Sequence, residues 1–229
     1  MVLVVTHNLA KVKLRVRFSL PAPNRPKMFN DILVIDDALQ PFQQDNIENI
    51  FLKDAQGPIP WKLFRDVALP MNEIDDLGIT ELTPGIGATI FNESYVDNRL
   101  LNFTQHIPRM VCAKTKVNFR KLLQARSFIH FPLDRDIRKE YDNIHVDLPI
   151  PHMVCLYYVN DSDGDTFIFD KSRDVEINSI DDFRNKEFNV LKRVSPKKGR
   201  AIIFDGFRYH SSSCSSKNLR CILNFDFLP

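Results

Sequence analysis

The chain has 229 residues, 44% of them hydrophobic and 26% charged, with a formal net charge of +2. That length and mix exclude a disordered or fibrous protein and allow a buried core without disulfide or metal staples. No apolar run approaches the roughly 20 residues of a membrane-crossing helix, and so mild a basic balance does not by itself imply a nucleic-acid partner.

Residues 1–27 read differently from the rest. They hold six basic residues (Lys11, Lys13, Arg15, Arg17, Arg25, Lys27), no acid, and Pro21, Pro23 and Pro26. A secretory signal would need a long apolar centre and a small-residue cleavage site, and neither is clear. The Lys/Arg bias fits an organelle transit peptide, although Ser19 is the only serine there. A sharper reading rests on Val16-Arg17-Phe18-Ser19-Leu20-Pro21-Ala22-Pro23. Translating the 3′ part of a tRNA gene yields this run: the T-loop consensus encodes Val-Arg-Phe, and the terminal CCA falls on Pro23. The expectation is a leader that is disordered or not translated, with Met28 as the true start. Starting at Met28 shortens the 229-residue chain to 202 and, with six positive charges removed, takes the net charge from +2 to −4.

From Met28 onward, Ile32–Ile35 predicts a strand. Asp36-Asp37 offers a helix N-cap with Pro41 in the first turn, and Ile47, Ile50 and Phe51 recur at helical spacing over about 40–53. Gly57-Pro58 and Pro60 end that helix, and Trp61–Val67 predicts a strand. Residues 68–93 read as loop. A second helix is expected over 98–113, kinked near Pro108, with a short helical piece over 118–123. Strands follow at 125–131, 153–159, 166–169, 188–194, 200–204 and 219–227, separated by turn clusters at 160–165, 196–199 and 205–206. Helices first and short strands after predict an α+β chain, mainly β, with a sandwich or barrel as its body. No repeat or linker interrupts residues 28–229, so they read as a single domain. The four cysteines form no CxxC pair, and Cys155 and Cys221 lie inside apolar runs. They read as reduced, buried thiols.

One constellation carries chemistry. On a strand, His145 and Asp147 would share a face, and His210 lies in a β-rich segment after a turn. Two histidines and a carboxylate form the facial triad of non-haem Fe(II) oxygenases, which leaves positions open for oxygen and a chelating cosubstrate. The blander reading makes His145 an exposed polar residue and His210 a loop residue. Arg220 opens a largely apolar strand, where its charge needs a partner such as a carboxylate. A rim ion pair is the alternative there. Arg126 shares a strand with Phe128 and reaches either a substrate or a salt bridge. His130 and His152 read as hydrogen-bonded core or rim residues, and Tyr157-Tyr158 as core. There is no phosphate loop, nucleophile elbow or basic aromatic stripe.

Further residues agree in order and spacing: Tyr157-Tyr158-Val159-Asn160-Asp161, Gly164-Asp165-Thr166-x-x-Phe169, Pro196-x-x-Gly199-x-x-x-x-Phe204-Asp205, and Arg220 with Leu223-Asn224-Phe225. With His145-x-Asp147 and His210, they make residues 28–229 resemble the 2-oxoglutarate and Fe(II)-dependent dioxygenases. The likeness is to the prolyl 4-hydroxylase-like branch, including members encoded by marine bacteriophages. The resemblance implies a double-stranded β-helix (a jelly roll, cupin-like) with supporting N-terminal helices. It implies Fe(II) on His145, Asp147 and His210, and the distal carboxylate of 2-oxoglutarate on Arg220, where the prolyl branch usually has Lys. It also implies a hydrogen bond from Thr166 to that carboxylate and a place for Tyr141 in the cosubstrate pocket. The implied reaction is hydroxylation of an unactivated C–H with O2, coupled to conversion of 2-oxoglutarate to succinate and CO2, with ascorbate as a reductant. The intact Asp147 argues against a halogenase. The substrate would be a peptide, a prolyl side chain included, or a small molecule, chosen by loops 68–97, 132–144 and 170–187. The expected location is the cytoplasm of a bacterium or a phage-infected cell, without membrane or nucleic-acid partners. Two other readings stand beside it: a cupin-like metal isomerase or epimerase, and a non-catalytic jelly-roll binding protein.

Overall fold

Extended segments with alternating side chains form two sheets. The computed structural model describes residues 31–68, 82–134, 140–173 and 187–229; residues 1–27 lie outside it, as do parts of the three expected specificity loops. Among the described residues, a larger antiparallel sheet holds β1 (Leu33–Ile35), β2 (Lys62–Phe64), β3 (Gly85–Asn92), β4 (Tyr95–Val96), β5 (Lys121–His130), β6 (Met153–Tyr158), β9 (Ala201–Asp205) and β11 (Arg220–Leu228). Its order is β1-β9-β6-β11-β5-β3-β2, with β4 folded back on β3. A smaller antiparallel sheet has the order β10-β7-β8, from β7 (Thr166–Ser172), β8 (Val190–Val194) and β10 (Arg208–Ser212). The expected mainly β character is present. No helix among the described residues is long and apolar enough to cross a membrane.

The central strand β11 shows why the chain layers as it does. Its odd positions Cys221, Leu223, Phe225 and Phe227 join a core with Ile47, Ile50 and Phe51 of helix α1 (Pro41–Lys53). Helix α2 (Asn98–Thr104) adds Leu100, and helix α3 (His106–Thr115) adds Ile107 and Val111. Its even positions face the other way. There Ile222 packs with Phe128, Leu156, Tyr158 and Phe204 of the larger sheet and with Ile168 and Val194 of the smaller one. Arg220, Asn224 and Asp226 share that inner face, so the functional side chains sit between the sheets.

Several local expectations are corrected. The N-cap of α1 is Gln40, not Asp36-Asp37; its backbone N–H donates to Gln43 Oε1 at 3.1 Å, with Pro41 following. Asp36 instead pairs with Arg200, at 2.6 Å. The second helix breaks at Gln105 rather than at Pro108, which falls in the first turn of α3, where a missing N–H costs little. Residues 118–123 are not helical. Lys116 caps α3 in the left-handed region, and the chain then extends into β5, with Leu122 paired to Phe227. Residues 85–92, expected as loop, are β3. A side chain on Gly85 would come within 2.5 Å of Val67, and one on Gly87 within 2.8 Å of the Phe128 ring, so glycine here serves close packing rather than a turn. All four cysteines are free and buried.

Candidate metal centre

His210 lies on β10, and the chain before β6 returns beside it. His145 makes an isolated antiparallel bridge to His210, each backbone N–H donating to the other's carbonyl at 3.0 Å. The expected strand under His145-Val146-Asp147 is therefore a single bridge inside an otherwise irregular segment, because the ladder stops before Asp147. The bridge puts the two imidazoles 4.5 Å apart, centroid to centroid. Each ring donates Nδ1–H to a carbonyl two residues earlier, His145 to Asn143 and His210 to Arg208, both at 3.0 Å. Those bonds set the tautomer and leave each Nε2 lone pair for a ligand. Asp147 Oδ2 is 3.4 Å from His210 Nε2. One ligand atom from each of His145, Asp147 and His210 lies within 4.8 Å of the others.

Burial, reinforced by the neighbouring His210, lowers the His145 imidazole to about 4, which keeps it neutral and able to donate its lone pair. Burial opposes charge on Asp147, but the Arg126 guanidinium and His210 outweigh it and hold this carboxyl well below the usual range. Two imidazole nitrogens and an ionised carboxylate oxygen, with room beside them, make a donor set that suits a non-haem Fe(II) ion.

The same cavity is lined by Arg126, Phe128, His130, Leu156, Thr166, Arg220, Ile222 and Asn224. At one end Arg220 is 1% exposed. Its Nε–H donates to Gly164 O at 2.8 Å and its Nη2–H to Thr166 Oγ1 at 2.8 Å, while Nη1 is buried without a partner. Burial pulls the pKa of this guanidinium down, though Tyr158, Asp142 and other neighbours pull the other way. A cation this deep with donors to spare fits an anion carried into the cavity, such as a carboxylate. Thr166 thus lies beside Arg220, as expected. Tyr141 does not join them. Thr166 and Ile168 face inward on β7, and Tyr141 packs on the outward Phe167 and Phe169, at 5.5 and 5.1 Å.

Tyr158 instead supports this end of the cavity: its hydroxyl donates to Thr166 Oγ1 at 2.8 Å and its ring lies 5.9 Å from the Arg220 guanidinium carbon. Tyr157 points into the helix-side core instead. Alternation along β6 separates the pair: Leu156 and Tyr158 face inward, and that periodicity was available in the sequence. At the cavity's other end Arg126 bonds Asp147, and Asn224 Nδ2 donates to Asp147 Oδ2 at 3.0 Å. Two further groups of potential ligands come together, His130 with Asp142 and Cys214, and His152 with Asp147 and Asp226. The first has Arg220 among its electrostatic neighbours, and the second shares Asp147 with the His145–His210 pair.

No family model matches the sequence, and no curated protein matches it. Solved structures do. An oxidoreductase of the 2OG-Fe(II) oxygenase family from Burkholderia pseudomallei aligns with a TM-score of 0.56 at 10% identity, covering 95% of this chain and 88% of that one. The fold is that of the 2-oxoglutarate and iron(II) oxygenases. The non-haem α-ketoglutarate-dependent epimerase SnoN of nogalamycin biosynthesis also aligns at 0.56, with 8% identity over 97% of this chain and 82% of its own. A Trichoplax adhaerens prolyl hydroxylase in complex with a hypoxia-inducible-factor peptide fragment aligns at 0.53, with 13% identity over 86% of this chain and 84% of its own. One fold thus serves oxidation and epimerisation, and the reaction has to be argued from the site.

Proposed function

We propose that residues 28–229 form one dioxygenase domain, a double-stranded β-helix. It would use Fe(II), 2-oxoglutarate and O2 to hydroxylate an unactivated C–H of a peptide side chain or small molecule. The observation that carries this reading is the unpartnered Nη1 of buried Arg220 in the cavity that also holds His145, Asp147 and His210. A metal site alone would not need a stranded cation, whereas a site for a metal with a dicarboxylate cosubstrate would call for both.

His145 and His210 would present Nε2 atoms and Asp147 an anionic oxygen to Fe(II). Arg220 would take the distal carboxylate of 2-oxoglutarate, with Thr166 bonded to Arg220 and the Tyr158 ring beside it. Phe128, Leu156 and Ile222 form an apolar belt between the two charged ends, which keeps bulk water from the reacting groups. When bound, iron with its cosubstrate supplies the oxidising power and the coupled loss of CO2 that leaves succinate. Ascorbate would keep the iron reduced. The complex of the Trichoplax enzyme with a peptide supports peptides as the first substrate class to try. Free, buried thiols suit a reducing cytoplasm.

The test is succinate release with Fe(II), ascorbate and pools of peptides and metabolites. Turnover above the substrate-free background that disappears in His210→Ala is the expected result. No succinate with any pool, together with no change in melting on adding metal and 2-oxoglutarate, would refute the proposal. Similarity to SnoN favours epimerisation as the second reading. An isomeric product lacking label from 18O2 would select it.

A further inference from the structure

The reading of His145, Asp147 and His210 as a metal centre leaves one strong contact unexplained. A divalent cation can take a carboxylate through one oxygen or through both, and the second oxygen consumes a coordination position. The chemistry above needs those positions open. We propose that Arg126 is a positioning residue that keeps Asp147 a one-oxygen ligand and so preserves room for the cosubstrate; the proposal rests on the metal-centre reading.

The two oxygens of Asp147 are treated differently. Oδ1 accepts from Arg126 Nη2 at 2.6 Å, a short charge-assisted bond. Oδ2 accepts from Asn224 Nδ2 at 3.0 Å and lies 3.4 Å from His210 Nε2. Oδ2 is therefore the oxygen beside the His210 imidazole, with one lone pair left after Asn224. Oδ1 is turned away and occupied.

Arg126 is itself fixed from behind. Its Nη2 is 3.4 Å from Asp226 Oδ2, which also accepts from Gln124 Nε2 at 3.1 Å. The register of β5 on β11 builds this unit, pairing Arg126 with Asn224 and Gln124 with Asp226. The guanidinium also lies 5.3 Å from the Phe128 ring centre, so its plane is held as well as its charge. Swinging Oδ1 onto a metal would break the short Arg126 bond and leave a part-buried guanidinium with only its longer contact to Asp226.

Cobalt(II), whose visible spectrum reports coordination number, is the probe. Wild-type, Arg126→Met, Arg126→Lys and the double variant Arg126→Met with Asp226→Asn are loaded with Co2+. Their absorption and the dissociation constant of 2-oxoglutarate are measured on the loaded proteins, with circular dichroism as the check on folding. Arg126→Met is expected to bind Co2+, to show a changed d–d spectrum, and to bind 2-oxoglutarate about 10–100-fold more weakly. Arg126→Lys, which keeps a donor for Oδ1, falls between. If Arg126→Met fails to fold, the double variant, which removes the stranded carboxylate too, carries the same test. A folded variant with the wild-type spectrum and cosubstrate affinity overturns the proposal. So does loss of Co2+ binding in Arg126→Met, which would make Arg126 a determinant of metal affinity instead. Failure of wild-type protein to bind Co2+ in a His210-dependent way would sink the metal-centre reading itself.

Discussion

Arg126 and Arg220 lie on adjacent antiparallel strands, point into the same cavity, and meet opposite circumstances. Arg126 faces two carboxyl groups, Asp147 at 2.6 Å and Asp226 at 3.4 Å, from a side chain 23% exposed; burial and Asp147 push the Asp226 carboxyl well above the usual range. Arg220 is almost wholly buried and is bonded to a carbonyl and a hydroxyl, both neutral. A guanidinium whose charge is answered by its own chain is a structural part. One whose charge is left open, at a desolvation cost of several kcal/mol, is a receptor. Under the proposed function the two ends of the cavity would divide the work: one would set the metal ligand, the other would receive an anion.

Stability of the metal-free protein separates the two most sharply. Arg126→Met strands the buried, ionised Asp147 carboxylate and is expected to cost about 3–5 kcal/mol in urea unfolding. Arg220→Met removes an unanswered cation and should stay within about 1 kcal/mol of wild type. The reverse ranking would break the distinction. Binding ranks them differently. Arg220→Met should weaken 2-oxoglutarate about 100-fold, or about 3 kcal/mol, by calorimetry on Mn2+-loaded protein. It should also abolish the melting shift that the cosubstrate gives. An unchanged affinity would return Arg220 to the role of a rim residue.

Acid acts on the metal end. His145 falls from an ordinary 6.5 to about 4 on folding, so the unfolded chain binds the extra proton between those values. Stability of the metal-free protein then drops as pH falls through that window and is retained above it. From pH 6.5 to 5 the loss attributable to His145 is about 2 kcal/mol, measured as the difference in slope between wild type and His145→Gln. Equal slopes would place His145 in water. The smallest effect belongs to Tyr158→Phe. It removes the hydroxyl that donates to Thr166 and should weaken 2-oxoglutarate about fivefold, near 1 kcal/mol. Tyr141→Phe, out on the far face of β7, should leave that affinity unchanged.

Much of this molecule was legible from one dimension. Period-two alternation and turn clusters mark β5, β6, β7, β9 and β11, because pleat and turn chemistry act over neighbouring residues. The residues expected to meet, His145, Asp147, His210, Thr166 and Arg220, do line one cavity. Local signals misled where tertiary packing decided the conformation. Gly85 and Gly87 looked like loop because their reason lies in Val67 and Phe128. Residues 118–123 looked helical because the pull toward extension comes from Phe227, about a hundred positions away. The same distance hid the details of the site. Which tyrosine reaches Arg220, and which arginine holds Asp147, follow from the register of β5 and β6 on β11. A slip of one residue would turn every one of these side chains to the other face. Composition and periodicity determined which residues face inward; only the ladder of long-range backbone hydrogen bonds decided which of them stand opposite one another.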